Sequence, residues 1–207
     1  MTYLVICPGF HAAELTDRAI AHLDLPASIR TIVIPTDQIF PCDPVSIANY
    51  IERHMLESGV IPARKTRINL NFLGFSAGTI GALGAAWLWR DQAQLGAIIL
   101  CDGWGVPILP ILPVWDWFTD RQPPTIAPTP NIYRISHDRW THDTWSRMGI
   151  ATPSFIADPE VEHLTLWSDP DRVLGDSIDA AGQTIARLSA TDYIRQCLGF
   201  GETPADQ

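Results

Sequence analysis

Five consecutive residues, Gly74-Phe75-Ser76-Ala77-Gly78, constrain the fold more than any other part of the chain. An apolar run, Ile68-Asn69-Leu70-Asn71-Phe72-Leu73, precedes them, and small residues at helical spacing, from Thr79 to Trp89, follow. Strand, glycine turn, helix is the setting in which Gly-x-Ser-x-Gly lifts a serine hydroxyl clear of a sheet edge. A side chain at Gly74 or Gly78 would collide with neighbouring backbone, so the pattern predicts a turn that needs glycine on both sides. A helix beginning at Ala77 would aim its unpaired N–H groups at that hydroxyl.

The rest of the chain repeats the strand–helix rhythm. Strands are expected at 3–7, 29–35, 67–73, 95–101, 131–136 and 154–157, about six in all. Helices are expected at 12–22, 44–58, 77–92 and 176–199. The second should start sharply, with Asp43 as its cap and Pro44 at its first position. Such alternation predicts an α/β fold, with a mostly parallel central sheet covered by helices on both faces and right-handed crossovers. The 207 residues suit a single domain, with no repeat or linker dividing 1–207.

One stretch breaks the rhythm. Residues 103–130 carry seven of the 17 prolines together with Trp104, Trp115, Trp117 and Phe118. A connection that long is usually functional or disordered, and this one is too apolar for disorder. It reads as a lid-like insertion over the carboxyl ends of the strands, or as an inserted helix that completes the core. The tail 201–207 reads as loose.

Charge and composition narrow the partners. The net charge of −9 argues against nucleic acid and against docking on anionic lipid. Residues 68–89 hold no charge and contain a Gly-x-x-x-Gly, a pattern that a membrane span would share. Asn69, Asn71 and four glycines fit a buried strand and helix better. Cys7, Cys42, Cys101 and Cys197 form no Cys-x-x-Cys pair and no zinc-like spacing, so they read as reduced, buried thiols and no metal is expected. The opening residues run straight into a strand-like Tyr3-Leu4-Val5-Ile6, and a cytoplasmic location is the expectation. Nothing in the sequence sets an oligomeric state.

A serine hydroxyl becomes a nucleophile only with a general base, a carboxylate to hold that base, and donors for the oxyanion. After Ser76, candidate residues follow in a suggestive order: Asp138 in Ile135-Ser136-His137-Asp138, then His163 in Glu160-Val161-Glu162-His163-Leu164. On the elbow and this order the chain resembles the α/β-hydrolase family. It looks like a small member, shortened so that it begins at the strand before the oxyanion loop. The resemblance covers nearly the whole chain in topology, but only the elbow is specific as sequence.

The resemblance implies a nucleophile, an acid after the next-but-one strand and a histidine after the last strand, in that order. It thereby implies Ser76, Asp138 and His163 as a triad. His137 and His142 compete with His163, and Asp102 and Asp143 compete with Asp138. Asp102 directly follows the fourth expected strand, an end from which some lipases of the family take their acid. The implied oxyanion donors are the amides of Ala77 and Phe10, with Pro8-Gly9 standing where the family often has His-Gly. His11, beside that loop, is either a substrate contact or part of the helix start.

The expected activity is hydrolysis of a small-molecule carboxylic ester or thioester, without cofactor. Trp104, Trp115 and Trp117 would bind an apolar acyl or aromatic group. The alternative is a noncatalytic protein of the same fold, binding a lipid, a small apolar ligand or a protein partner through its Trp-rich segment.

Overall fold

The computed structural model describes residues 1–60, 68–103, 131–147 and 151–200. Residues 104–130, and with them Trp104, Trp115 and Trp117, lie outside the described residues, as does the tail 201–207. In chain order the described elements are β1 (Thr2–Cys7), α1 (Ala13–Leu23), β2 (Ile29–Val33), α2 (Pro44–Glu57), β3 (Asn69–Phe75), α3 (Gly78–Trp89) and β4 (Gln94–Cys101). Then come β5 (Asn131–Ser136), α4 (Arg139–Arg147), β6 (Ser154–Ala157), α5 (His163–Ser168), β7 (Leu174–Ile178), β8 (Thr184–Ser189) and α6 (Ala190–Cys197).

The strands form one eight-stranded sheet in the order β2-β1-β3-β4-β5-β6-β7-β8. Every pairing from β2 to β6 is parallel. The two added at the far edge, β6 with β7 and β7 with β8, are antiparallel. The result is an α/β-hydrolase-like fold, a mostly parallel sheet with helices on both faces. The chain moves outward from β1 to β2 and then crosses back to β3. The order therefore reverses between β1 and β3, the place where open α/β sheets bind ligands at their carboxyl edge.

Alternation along the strands divides the core in two. Tyr3, Val5, Leu70, Phe72, Ile98 and Leu100 face α2 and α3. Leu4, Ile6, Leu73, Phe75, Ile99 and Cys101 face α1, α5 and α6. Asn71 is buried because it mends a register shift between β3 and β4. Its side-chain oxygen accepts from the Ala97 amide at 2.8 Å, which satisfies a ladder donor left over by the shift. Asp43 caps α2 as expected, accepting from the amides of Val45 and Ser46 at 3.1 Å each, with Pro44 at the first helical position.

The C-terminal part corrects the sequence reading. Residues 176–199 are not one helix but the end of β7, all of β8 and the helix α6. The break is the turn Asp179-Ala180-Ala181-Gly182. There the Asp179 carboxylate accepts from the amides of Ala181 (2.9 Å) and Gln183 (2.8 Å), and Gly182 takes a φ of +83°. That side-chain-to-backbone bonding offers the chain a turn in place of a helix. A second correction concerns the elbow. β3 continues through Gly74 and Phe75, so only Ser76 and Ala77 separate it from α3. The uncharged stretch 68–89 is thus a strand followed by a 12-residue helix. No helix among the described residues is long and apolar enough to cross a membrane.

Candidate active site

Ser76 sits where the strand must become a helix within two residues. Its φ is +52°, a left-handed conformation that costs a residue with a Cβ about 1–2 kcal/mol. The surroundings hold it there. Its amide donates to Cys101 O at 2.8 Å, extending the β3–β4 ladder one residue past the strand. Its carbonyl accepts from the Thr79 amide (3.1 Å) and the Thr79 hydroxyl (2.6 Å). A Cβ on Gly78 would lie 2.0 Å from Cys7 O, and one on Gly74 would lie 2.8 Å from Thr79 Cα, so both glycines are needed for close approach.

The loop after β1 presses against the elbow from the other side of the switch point. A Cβ on Gly9 would lie 2.9 Å from Ser76 Cβ and 3.0 Å from Phe75 O. The loop that carries the Phe10 amide is thereby held against the elbow that carries the Ala77 amide. Among the described residues neither amide meets an acceptor. Phe10 is 64% exposed, and its ring lies 5.1 Å from that of Phe40, which is 61% exposed.

The next strand ends in a second strained residue. Asp102, directly after β4, has a φ of +51° and is fully buried. Its amide donates to Ile135 O at 2.8 Å. Its carboxylate is surrounded by donors. The His137 amide reaches Oδ1 at 2.8 Å, and His163 Nδ1 forms a hydrogen bond to Oδ2 at 2.9 Å. The Nδ1 of His137 is also 2.9 Å from Oδ2, buried and off the line of a directed hydrogen bond.

His163 is the first residue of α5 and is half-buried. Its ring stacks on Phe75, the residue before the serine, with centroids 4.6 Å apart and planes at 24°. Phe75 points to the α1/α5 face because β3 alternates, and Trp167, one helical turn beyond His163, stacks on it too at 4.8 Å. The residue before Ser76 therefore positions the imidazole.

Asp138, expected as the carboxylate on His163, is elsewhere. Its Oδ1 accepts from the Thr141 amide at 2.7 Å, at the start of α4, and its Oδ2 lies 3.4 Å from His137 Nε2. Burial by itself would raise the Asp138 carboxyl; the Thr141 hydrogen bonds, with His137 and His163, reverse this and leave it lowered. Asp102 holds the position on His163 that the resemblance gave to Asp138. Asp143, also a candidate acid by sequence, is exposed on α4. His142 is on α4 as well, its pKa lowered by burial first and then by Arg134.

His11 stands at the site without capping α1, whose N-cap is Ala12. Its Nε2 is 2.9 Å from the Thr16 hydroxyl, and its ring meets Phe75 and Trp167 edge-on at 5.4 and 6.0 Å. Burial first, and His163 second, lower its pKa.

Oδ2 of Asp102 and the Nδ1 atoms of His137 and His163 lie within 4.8 Å of one another. A carboxylate with two imidazoles has the chemistry of a metal site. Here both nitrogens lie 2.9 Å from one carboxylate oxygen, that of His163 by a hydrogen bond and that of His137 off the line of one. A groove of about 200 Å³ between α2 and α3, lined by Val45, Ala48, Glu52 and Leu88, lies toward the end of α3 remote from Ser76.

No family model matches this chain, and no curated protein matches it. Among solved structures it is similar to YbtT, a type II thioesterase from the yersiniabactin NRPS/PKS biosynthetic pathway. The likeness has 16% identity and a TM-score of 0.43, over 80% of this chain and 86% of that one. A serine-to-alanine mutant of the same protein gives 15% identity and a TM-score of 0.45, over 80% and 87%.

Proposed function

We propose that this protein is a serine hydrolase that cleaves a carboxylic ester or thioester through Ser76, His163 and Asp102. One observation carries the reading. Asp24, Ser76 and Asp102 are the positive-φ residues other than glycine among those described; Asp24 is the C-cap of α1, and the other two end the adjacent strands β3 and β4. Backbone strain held in place by surrounding bonds clusters where geometry matters for chemistry. Here one strained residue presents a hydroxyl and the other a buried carboxylate bonded to an imidazole.

The proposed roles are as follows. Asp102 accepts from Nδ1–H of His163, which leaves the lone pair on Nε2. Nε2 takes the Ser76 proton as Oγ attacks the carbonyl carbon. The oxyanion is received by the amides of Ala77 and Phe10, positioned by the contact of Gly9 with the elbow. Nε2 returns the proton to the departing alkoxide or thiolate, leaving an acyl-serine. A water that gives its proton to Nε2 then hydrolyses the acyl-serine and regenerates the hydroxyl. Phe10 and Phe40 beside the oxyanion loop favour an apolar acyl or aromatic group over a sugar or charged peptide. His11, Trp104, Trp115 and Trp117 are proposed as further substrate contacts.

Turnover of a p-nitrophenyl ester series of increasing acyl length tests this. Hydrolysis by the wild type, rising with apolar chain length and abolished in Ser76→Ala, is expected. Equal rates in wild type and Ser76→Ala would refute it.

A further inference from the structure

We propose that His137 is a second imidazole on the triad carboxylate, a cationic positioning residue that sets the pH range over which His163 acts as base. The proposal rests on the serine-hydrolase reading above, and its test separates the two.

The two ring nitrogens of His137 each face a carboxylate. Nδ1 is 2.9 Å from Asp102 Oδ2, and Nε2 is 3.4 Å from Asp138 Oδ2. A neutral imidazole has one N–H and one lone pair, so between two carboxylates it would turn the lone pair toward one of them. Only the imidazolium carries a positive charge that both carboxylates attract. Glu160, from the connection between β6 and α5, adds a third negative group. The contact with Asp102 raises the pKa of His137, opposed in part by burial and aided by Asp138 and Glu160. The groups facing this ring are thus Asp102 from the end of β4, Asp138 from its own turn, Glu160, and His163 from α5, whose ring is 5.5 Å away at 71°. His163 in turn faces Asp102, His137, Asp138 and His11.

A cation on the same oxygen weakens the hold of Asp102 on the protonated form of His163. As the pH rises and His137 releases its proton, the full charge of Asp102 passes to His163, and the imidazolium formed during attack is better held. Two imidazoles on one carboxylate titrate as a pair, in two steps.

The test uses His137→Asn, which keeps an N–H near the Nδ1 position without the charge, and His137→Phe, which removes both. Two readouts are taken: kcat/KM on an acyl ester against pH, and the NMR titration of the His163 ring. In the wild type kcat/KM should rise in two steps. In both variants it should rise in one, with the midpoint moved up by about one pH unit and the His163 resonance moving with it. Should His137→Phe fail to fold, His137→Asn decides alone. An unmoved His163 midpoint, with a loss of kcat in His137→Phe that His137→Asn restores at every pH, would overturn the proposal and leave His137 a structural prop. The NMR titration needs no turnover. An inactive Ser76 with a moved His163 midpoint would therefore sink only the hydrolase reading, and an active Ser76 with an unmoved midpoint only this one.

Discussion

Asp102 and His163 stand 61 positions apart in the chain, yet Oδ2 of the aspartate lies 2.9 Å from Nδ1 of the histidine. The pairing turns on which strand end brings its carboxylate to the imidazole. Because β4 lies beside β3, its carboxyl end meets the imidazole of α5, whereas the end of β5 turns directly into α4 and commits Asp138 to that helix.

Two amide substitutions separate the carboxylates. Asp102→Asn should lower kcat/KM by about 10⁴-fold, because the amide can place an N–H toward Nδ1 and favour the wrong tautomer. Asp138→Asn should stay within about tenfold of wild type, since asparagine caps a helix as well as aspartate does. Steady-state kinetics on one ester measures both, and the reverse ranking would return the acid role to Asp138.

The elbow was legible in the sequence because sterics leave few ways to turn from strand to helix through Gly-x-Ser-x-Gly. The cap at Asp43 and Pro44 was legible for a like reason: both are local chemistry. What the sequence hid was non-local. Asp102 in Cys101-Asp102-Gly103 looks like any turn residue until the sheet order places it beside His163 and His137. The same holds for Phe75, whose stacking role appears only once β3 is oriented. The β7–β8 hairpin is different, since Asp179 and Gly182 bracket a turn that the sequence does state. The helical expectation for 176–199 overlooked it, favouring a long polar-faced pattern over turn chemistry.

The strain at Ser76 can be read from stability. Ser76→Gly and Ser76→Ala both remove the hydroxyl, but only glycine relaxes at a φ of +52°. Ser76→Gly should therefore be the more stable by about 1 kcal/mol in urea unfolding. Equal stability, or a more stable alanine variant, would mean that the turn carries no strain.

His137 makes stability depend on pH in a definite direction. Its pKa is raised in the folded protein, by contact with Asp102 above all. Its favourable contribution is then fully present below the unfolded value and is lost as the pH rises through the raised one. His11 and His142, both lowered by burial, slope the other way. The difference between wild type and His137→Asn isolates the first effect. That difference should be largest near about pH 5.5 and shrink as the pH rises, measured by denaturant unfolding at a series of pH values. A constant difference would show that His137 gains nothing from its charge.

The central claim is that the Ser76 hydroxyl is an activated nucleophile. Labelling of the folded protein with a fluorophosphonate, followed by intact mass and peptide mapping, addresses it most directly. One adduct is expected, on Ser76, absent from Ser76→Ala and formed far more slowly in Asp102→Asn. A folded wild-type protein that takes up no label, or one labelled as fast after Ser76→Ala, would contradict it.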